Sequence, residues 1–567
     1  MLFVSLFVSR SPLLVFSSAT LLVLSFPSFN QPWAAWIALV PWLRALRRAT
    51  PRQAFARSYL VGLLFFLASM GWLIHLTAFG GPAAILGWLV LCAYLALYFG
   101  AFGVLVTAIS TQHTAHSKKH MSLTGHWSLV TGHLLLIPAA WVALEFLRSR
   151  VLSGFGWNLL GYSQASWLPI IQIAEAAGVW GVSWLIVMVN VVLAEMLHNA
   201  TSDKRQATSR DRRLGMPIIP LTIAGCAVSL IVGYGTWRLS RHPEGRTVRV
   251  AVVQGNIPQE RKWDETSQEW ILQRYERLTH EAATAQPDLI VWPETAVPGL
   301  IGWDRAVTRR VQQLAQAVQI PLLVGAPSVA PAQVSSQDVR LFNSALLVDR
   351  QGVVAGRYDK VHLVPFGEFI PGESFAPWLR AVLPPIGDFV PGRDATVFLL
   401  EGQGKSAIPS PLAPRPSPPF GALICFEDIF PQLARRLVQG GAQMLVVITN
   451  DAWFGNTAAA YQHAQASIFR AVELRVPVVR AANTGWSGCI TETGRRIASV
   501  HDAHGEELFV EGVAVCEMSI PDAPTPYDRW GDWVAWLCLG ACLGGAVFAI
   551  INGWRVNPAQ RGKRANS

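Results

Sequence analysis

FGALICFED, residues Phe420–Asp428, runs five uncharged residues straight into a cysteine and two acids. An apolar strand that stops at a polar corner holds a side chain rigidly yet leaves it reachable. A thiol there is a candidate nucleophile, with the thiolate as its reactive form and a nearby cation to favour it. Two other segments end in the same way. VWPET, Val291–Thr295, delivers Glu294, and YDKVHLVPFGE, Tyr358–Glu368, delivers Lys360. A carboxylate at the rim of an apolar wall is partly desolvated and gains base strength, and a lysine beside a carbonyl oxygen stabilises a tetrahedral oxyanion. Each residue alone has a plainer reading: Cys425 as buried packing, Glu294 as a surface acid or cap, Lys360 as a solvated charge. Together they supply nucleophile, base and cation.

The surrounding chain alternates strand and helix. TVRVAVVQGNIP (247–258), PDLIVWPET (287–295), PLLVGAP (321–327), NSALLVDRQG (343–352), VVAGRYDK (353–360), QMLVVITN (443–450), VPVVRAAN (476–483) and SGCITET (487–493) have strand character. Helical periodicity covers Ser267–Gln286, Ala306–Gln319, Pro431–Gln439 and Ala459–Arg475. Buried strands alternating with amphipathic helices predict an α/β fold. Gly402–Pro419 is rich in proline and serine and reads as an exposed insertion before the Cys425 strand.

Outside this unit the chain is apolar. Of 567 residues 51% are apolar and 14% charged, too greasy for a purely soluble protein. Stretches long enough for a bilayer fall near 11–28, 31–46, 58–78, 82–109, 128–147, 168–197, 216–237 and 532–553, which predicts about eight transmembrane helices. The first, after Arg10, reads as a retained anchor, since no small-x-small cleavage site follows it. The division expected is a transmembrane bundle over 1–237, a catalytic domain over 238–531, a last helix over 532–553 and a basic tail over 554–567.

The net charge of +10 does not indicate nucleic acid, because of where it sits. Sixteen cations, set against Asp203 and Asp211, lie in the 44–57, 118–119 and 204–213 connections and the 555–564 tail, and the remainder sums to −4. Basic residues in alternate loops place those loops in the cytoplasm and 238–531 on the outer face. Glu145 and Glu175, costly at bilayer depth, are candidate functional acids; Glu145, close to Arg148 and Arg150, also fits an interfacial position. The seven cysteines form no C-x-x-C or Cys/His cluster, so neither a metal site nor a disulfide framework is expected. Three of them fall in the outer segment, so at least one thiol there is expected to stay free.

The Glu294, Lys360 and Cys425 motifs, in that order and 66 and 65 residues apart, resemble the nitrilase (carbon-nitrogen hydrolase) superfamily over about Thr247–Ala523. With the apolar stretches, HLVPFGE (362–368), NDAWFG (450–455) and GFGWNLLGYSQ (154–164), the whole chain is similar to the apolipoprotein N-acyltransferase family. That resemblance implies an αββα sandwich, Glu294 as general base, Lys360 as oxyanion stabiliser and Cys425 as acyl-accepting nucleophile. Glu368 and Glu427 match further acids beside the triad, and Phe426 stands where the family often has tyrosine. Trp453 matches a pocket aromatic or a packing residue. Phe366, Phe369, Phe375, Trp378, Leu379 and Leu383 read as greasy loops that keep water from a thioester. The resemblance further implies a phospholipid acyl donor, a diacylglyceryl lipoprotein acceptor, no cofactor or metal, a monomer, and a multi-pass protein of the bacterial inner membrane with its catalytic domain in the periplasm. The rival readings are a membrane-tethered amidase or nitrilase with the same triad, and a membrane scaffold or transporter with a dead domain.

Overall fold

A computed structural model describes residues 11–119, 123–206, 218–241, 246–329, 340–373, 375, 378, 387–400, 418–521 and 524–555. The chain divides into two compact units, one of residues 1–71, 88–235 and 532–567, the other of residues 72–87 and 236–531.

The second unit is built on two six-stranded sheets. In chain order the strands are β1 (Arg246–Gln254), β2 (Leu289–Val291), β3 (Leu322–Val329), β4 (Leu341–Val348), β5 (Val354–Asp359), β6 (Val397–Phe398), β7 (Phe420–Ile424), β8 (Met444–Thr449), β9 (Val478–Ala482), β10 (Gly488–Ile490), β11 (Arg496–Ser499) and β12 (Gly512–Ile520). One sheet runs β12-β1-β2-β3-β4-β5 and the other β11-β10-β9-β8-β7-β6. In each, three central strands are parallel, β1-β2-β3 and β7-β8-β9, as helical crossovers require. The inner faces share one apolar core that includes Val250, Val291, Leu347, Phe420, Ile424, Val446 and Val479. Helices cover the outer faces and complete the αββα layering.

Local sequence explains these helices. Over Arg305–Val318 the side chain of Asp304 caps the amides of Ala306 and Val307, and Gln319 closes the helix in the left-handed region. Val307, Val311, Leu314 and Ala315 form one stripe, buried against the first sheet. Ala459–Leu474 differs, because every residue of it except Tyr461 is buried, polar ones included. Its polar side chains therefore need internal partners.

The fold adds what the sequence reading lacked. Strands β6, β11 and β12 were not anticipated, being short, partly exposed or far from any motif. Residues 402–417 of the insertion, Leu379, Leu383 and 556–567 of the tail lie outside the described residues. Where no disulfide framework is expected, one bond is present: Cys489 on β10 is bonded to Cys516 on β12, and so joins the two sheets. No motif announces this pair, since β10 and β12 meet only when the sheets stack. Cys425 remains a free thiol.

The first unit is helical. Among the described residues three helices are long and apolar enough to cross a membrane, Ala83–Ser110, Ala174–His198 and Ile219–Leu239. A broken pair, Pro51–Ser69 with Gly71–Gly80, would make a fourth, and Ser11–Leu24 and Trp533–Phe548 are shorter apolar helices. The eight apolar stretches thus do not all become unbroken long helices; the 31–46 stretch, for instance, breaks into short pieces around Pro32 and Pro41. Glu145 is buried, its Oε1 accepting from the Leu160 amide at 2.7 Å, while Arg148 donates to the Trp157 carbonyl at 2.8 Å. These two residues pin the GFGWNLLGYSQ segment.

Cross-linking residues 27 apart stabilises by about 3.5 kcal/mol in the loop-entropy view. Replacing both Cys489 and Cys516 with alanine should lower the melting temperature of the second unit, measured by differential scanning fluorimetry. A thiol reductant should lower it in the parent protein and leave the variant unmoved.

Candidate active site

Strand β7 ends at Ile424, and Cys425 turns the chain with φ at +54° into a short 3-10 turn over Cys425–Ile429. A non-glycine residue in this region stores strain that the surroundings must hold. Glu427, fully buried, does the holding. It accepts from the Ile424 amide at 2.8 Å, the Val361 and His362 amides at 2.7 and 3.0 Å, and the Tyr358 hydroxyl at 2.8 Å. One carboxylate therefore staples the Cys425 corner to the segment that carries Lys360.

Glu294 sits just past β2, followed by Thr295 at φ +46°. Gly325 on β3 makes this corner possible, since a Cβ there would stand 2.2 Å from the Pro293 carbonyl oxygen. Asn343 Nδ2 donates to Glu294 Oε1 at 2.7 Å and to Glu368 Oε1 at 3.0 Å. Lys360 Nζ, 1% exposed, donates to Glu368 Oε1 at 3.0 Å and lies 3.4 Å from Glu294 Oε1. Glu368 is fixed in turn by the Val364 amide at 2.8 Å. Asn343 gave no sequence signal beyond its place in a strand.

Burial disfavours an ammonium, but the charges of Glu368 and Glu294 outweigh it and hold the Lys360 pKa above its usual value. Lys360 is a fixed cation. Burial pushes the Cys425 thiol well up, Glu294 adds to the shift, and Lys360 opposes it. Lys360 favours the thiolate, as expected of a neighbouring cation, but desolvation and the carboxylate outweigh it, so the thiol needs a base to lose its proton.

Behind the corner lies a polar network the sequence reading missed. His463, on the enclosed helix, has Nε2 3.2 Å from the Cys425 carbonyl oxygen and 2.9 Å from Asp428 Oδ1, with Nδ1 3.0 Å from Asp451 Oδ1. Arg480 on β9 reaches Asp428 Oδ2 at 2.9 Å and Asp451 Oδ2 at 3.3 Å. Burial opposes a charge on His463, but Asp428 and Asp451 raise its pKa to about 9; despite burial, the pKa values of both aspartates are lowered by His463 and Arg480. Two cations and two anions balance. The one available signal was the string of polar residues in an otherwise apolar helix, Gln462 to Glu473.

The remaining predicted residues fall in two groups. Phe426 is buried against Phe430, ring centroids 5.2 Å apart. Trp453 packs edge-on against Phe79 at 4.9 Å, and Trp72 against Phe454 at 4.6 Å with its Nε1 donating to Gln462. Residues 72–87 thereby cover the NDAWFG loop. Phe366 and Trp378, by contrast, are exposed, 53% and 64%, as is Phe375. They stand outside the buried centre.

Two six-stranded sheets with a cysteine, a lysine and a glutamate gathered at their strand ends, joined in one chain to apolar helices, define a membrane-associated enzyme of the carbon-nitrogen hydrolase class. Residues 249–519 match the Carbon-nitrogen hydrolase family, and residues 18–192 match the Apolipoprotein N-acyltransferase N-terminal domain. A Geobacter metallireducens apolipoprotein N-acyltransferase is 36% identical over 96% of this chain and 95% of its own, and one from Methylococcus capsulatus is 32% identical over 95% and 96%. The chain belongs to the apolipoprotein N-acyltransferase family. Among solved structures, Saccharomyces cerevisiae Nit3, of the nitrilase superfamily, is similar over 49% of this chain and 92% of its own, with 18% identity and a TM-score of 0.36.

His463 fixes a pH dependence. Its folded pKa of about 9 exceeds the usual 6.5, so its contribution is complete below that value and is lost as pH rises through 9. The second unit should melt at a lower temperature at pH 10 than at pH 7. His463→Gln should be less stable at pH 7, with a flatter profile from 7 to 10.

Proposed function

We propose that this chain transfers a fatty acyl group from a phospholipid to the α-amine of a diacylglyceryl-cysteine lipoprotein, through a thioester on Cys425. The observation that carries this reading is the buried Glu294–Lys360–Glu368 cluster at the corner stapled to the Cys425 turn, in a member of this family. Glu294 takes the thiol proton, sulfur attacks the ester carbonyl, and Lys360 donates to the oxyanion. The ester C–O bond breaks, the lysophospholipid oxygen takes the proton from Glu294, and the thioester remains. The acceptor nitrogen then attacks that carbonyl, Glu294 carries a proton from nitrogen to sulfur, and the amide leaves.

Location follows the same reading. The catalytic unit faces the periplasm, on eight spans in the inner membrane. The Cys489–Cys516 bond suits an oxidising compartment, and exposed Phe366, Phe375 and Trp378 suit a membrane interface. In this arrangement the same aromatics, with Phe426 and Trp453, line the acyl path and exclude water.

The test is purified protein in phospholipid, analysed by intact mass spectrometry. A hydroxylamine-sensitive acyl adduct on Cys425, absent in Cys425→Ala, is expected, and Glu294→Gln should slow its formation by roughly a hundredfold or more. Ammonia release from small amides without any lipid adduct would instead identify an amidase.

A further inference from the structure

Lys262 is a second buried lysine at the centre, and the triad does not account for it. It follows the short 3-10 turn Gln259–Arg261 after β1. That turn is rigid: Gln259 Oε1 accepts from Asn450 Nδ2 at 2.7 Å, and the backbone of Ile257 pairs with the Asn483 side chain at 2.9 and 2.8 Å. Lys262 is 3% exposed, and its Nζ donates to the backbone carbonyl of Glu294 at 2.9 Å. Among the described residues this is its one hydrogen bond, and no carboxylate pairs with it. Lys360, a buried lysine of the same centre, has two carboxylates.

An ammonium carries three donors and needs acceptors for them when buried; a neutral amine that donates once keeps a free lone pair and needs far less. One carbonyl acceptor is the environment of the neutral form. Burial accordingly lowers the Lys262 pKa to about 7, with the charge of Glu294 opposing. The titratable groups facing it are the Glu294 carboxylate and the Cys425 thiol. On its own segment Glu260, Arg261 and Asp264 are exposed.

The acceptor chemistry has an unmet need. An α-amine has a pKa of about 7.7–8.0 and arrives near neutral pH mainly as ammonium, which has no lone pair for attack. Glu294 is committed to the single proton that moves between nitrogen and sulfur. Resting on the acyl-transfer reading above, we propose that Lys262 is a further base of this centre, receiving the proton that the acceptor ammonium sheds before its nitrogen attacks the Cys425 thioester. The proton passes from the acceptor nitrogen to the Lys262 lone pair, the free amine forms the C–N bond as the C–S bond breaks, and Lys262 returns its proton to solvent. Near-neutral base strength suits this exchange, because the amine can both accept and release the proton.

The two half-reactions separate this role from the triad's. Full-length protein in phospholipid vesicles is first allowed to form its acyl adduct, followed by intact mass; a synthetic diacylglyceryl peptide is then added and discharge is timed from pH 6.5 to 9. With Lys262→Met, the loss should fall on discharge, tenfold or more at pH 6.5–7, and should shrink above pH 8.5, where the acceptor deprotonates unaided. Lys262→Arg keeps a donor for the Glu294 carbonyl but cannot take a proton, and should show the same pH-dependent defect. Discharge at the parent rate in both variants, or a defect equal in both half-reactions at every pH, would overturn the proposal. Absence of any adduct in the parent protein would instead overturn the acyl-transfer reading.

Discussion

An ammonium removed from water must have anions around it, and the placement of Lys360 against Glu294 and Glu368 is the constraint on which the rest of the catalytic unit turns. Each carboxylate comes from a different strand end or loop, so the cluster exists only if β2, β4 and the segment after β5 stop in register. Asn343 bridges the two acids and fixes their spacing. The arrangement leaves the cation with a permanent charge and the thiol without one.

Cys425 belongs to the other sheet, and a strained backbone turn carries it across. Cys425 itself and Thr295, which follows Glu294, both adopt left-handed backbone conformations. Glu427 on one side and the His463, Arg480, Asp428 and Asp451 network on the other keep the Cys425 turn from relaxing. The four charges of that network, His463 and Arg480 against Asp428 and Asp451, sum to zero, which lets it be stiff without favouring unfolding at neutral pH. The Cys489–Cys516 bond serves the same end at the far strands by holding the sheets face to face.

Much of this was legible in the chain. Apolar runs ending in single reactive residues marked β2 and β7 and the corner after β5, because a strand with two buried faces leaves a continuous apolar signature. Helix Pro431–Gln439 and the helix near Arg305–Val318 followed from their periodicity. The helices of the first unit were harder: an apolar stretch such as 31–46 reads as one span until its prolines break it.

Residue type, order and spacing by themselves determined that Glu294, Lys360 and Cys425 each stand at the end of a strand, since local sequence is enough to end a strand. Only the tertiary structure decided the protonation state of the thiol, the partners of Glu427, the polar network behind the turn, the Cys489–Cys516 pair and the single bond of Lys262. These depend on which distant segments bury one another, and desolvation together with Coulomb attraction at 3 Å has no counterpart in a linear pattern.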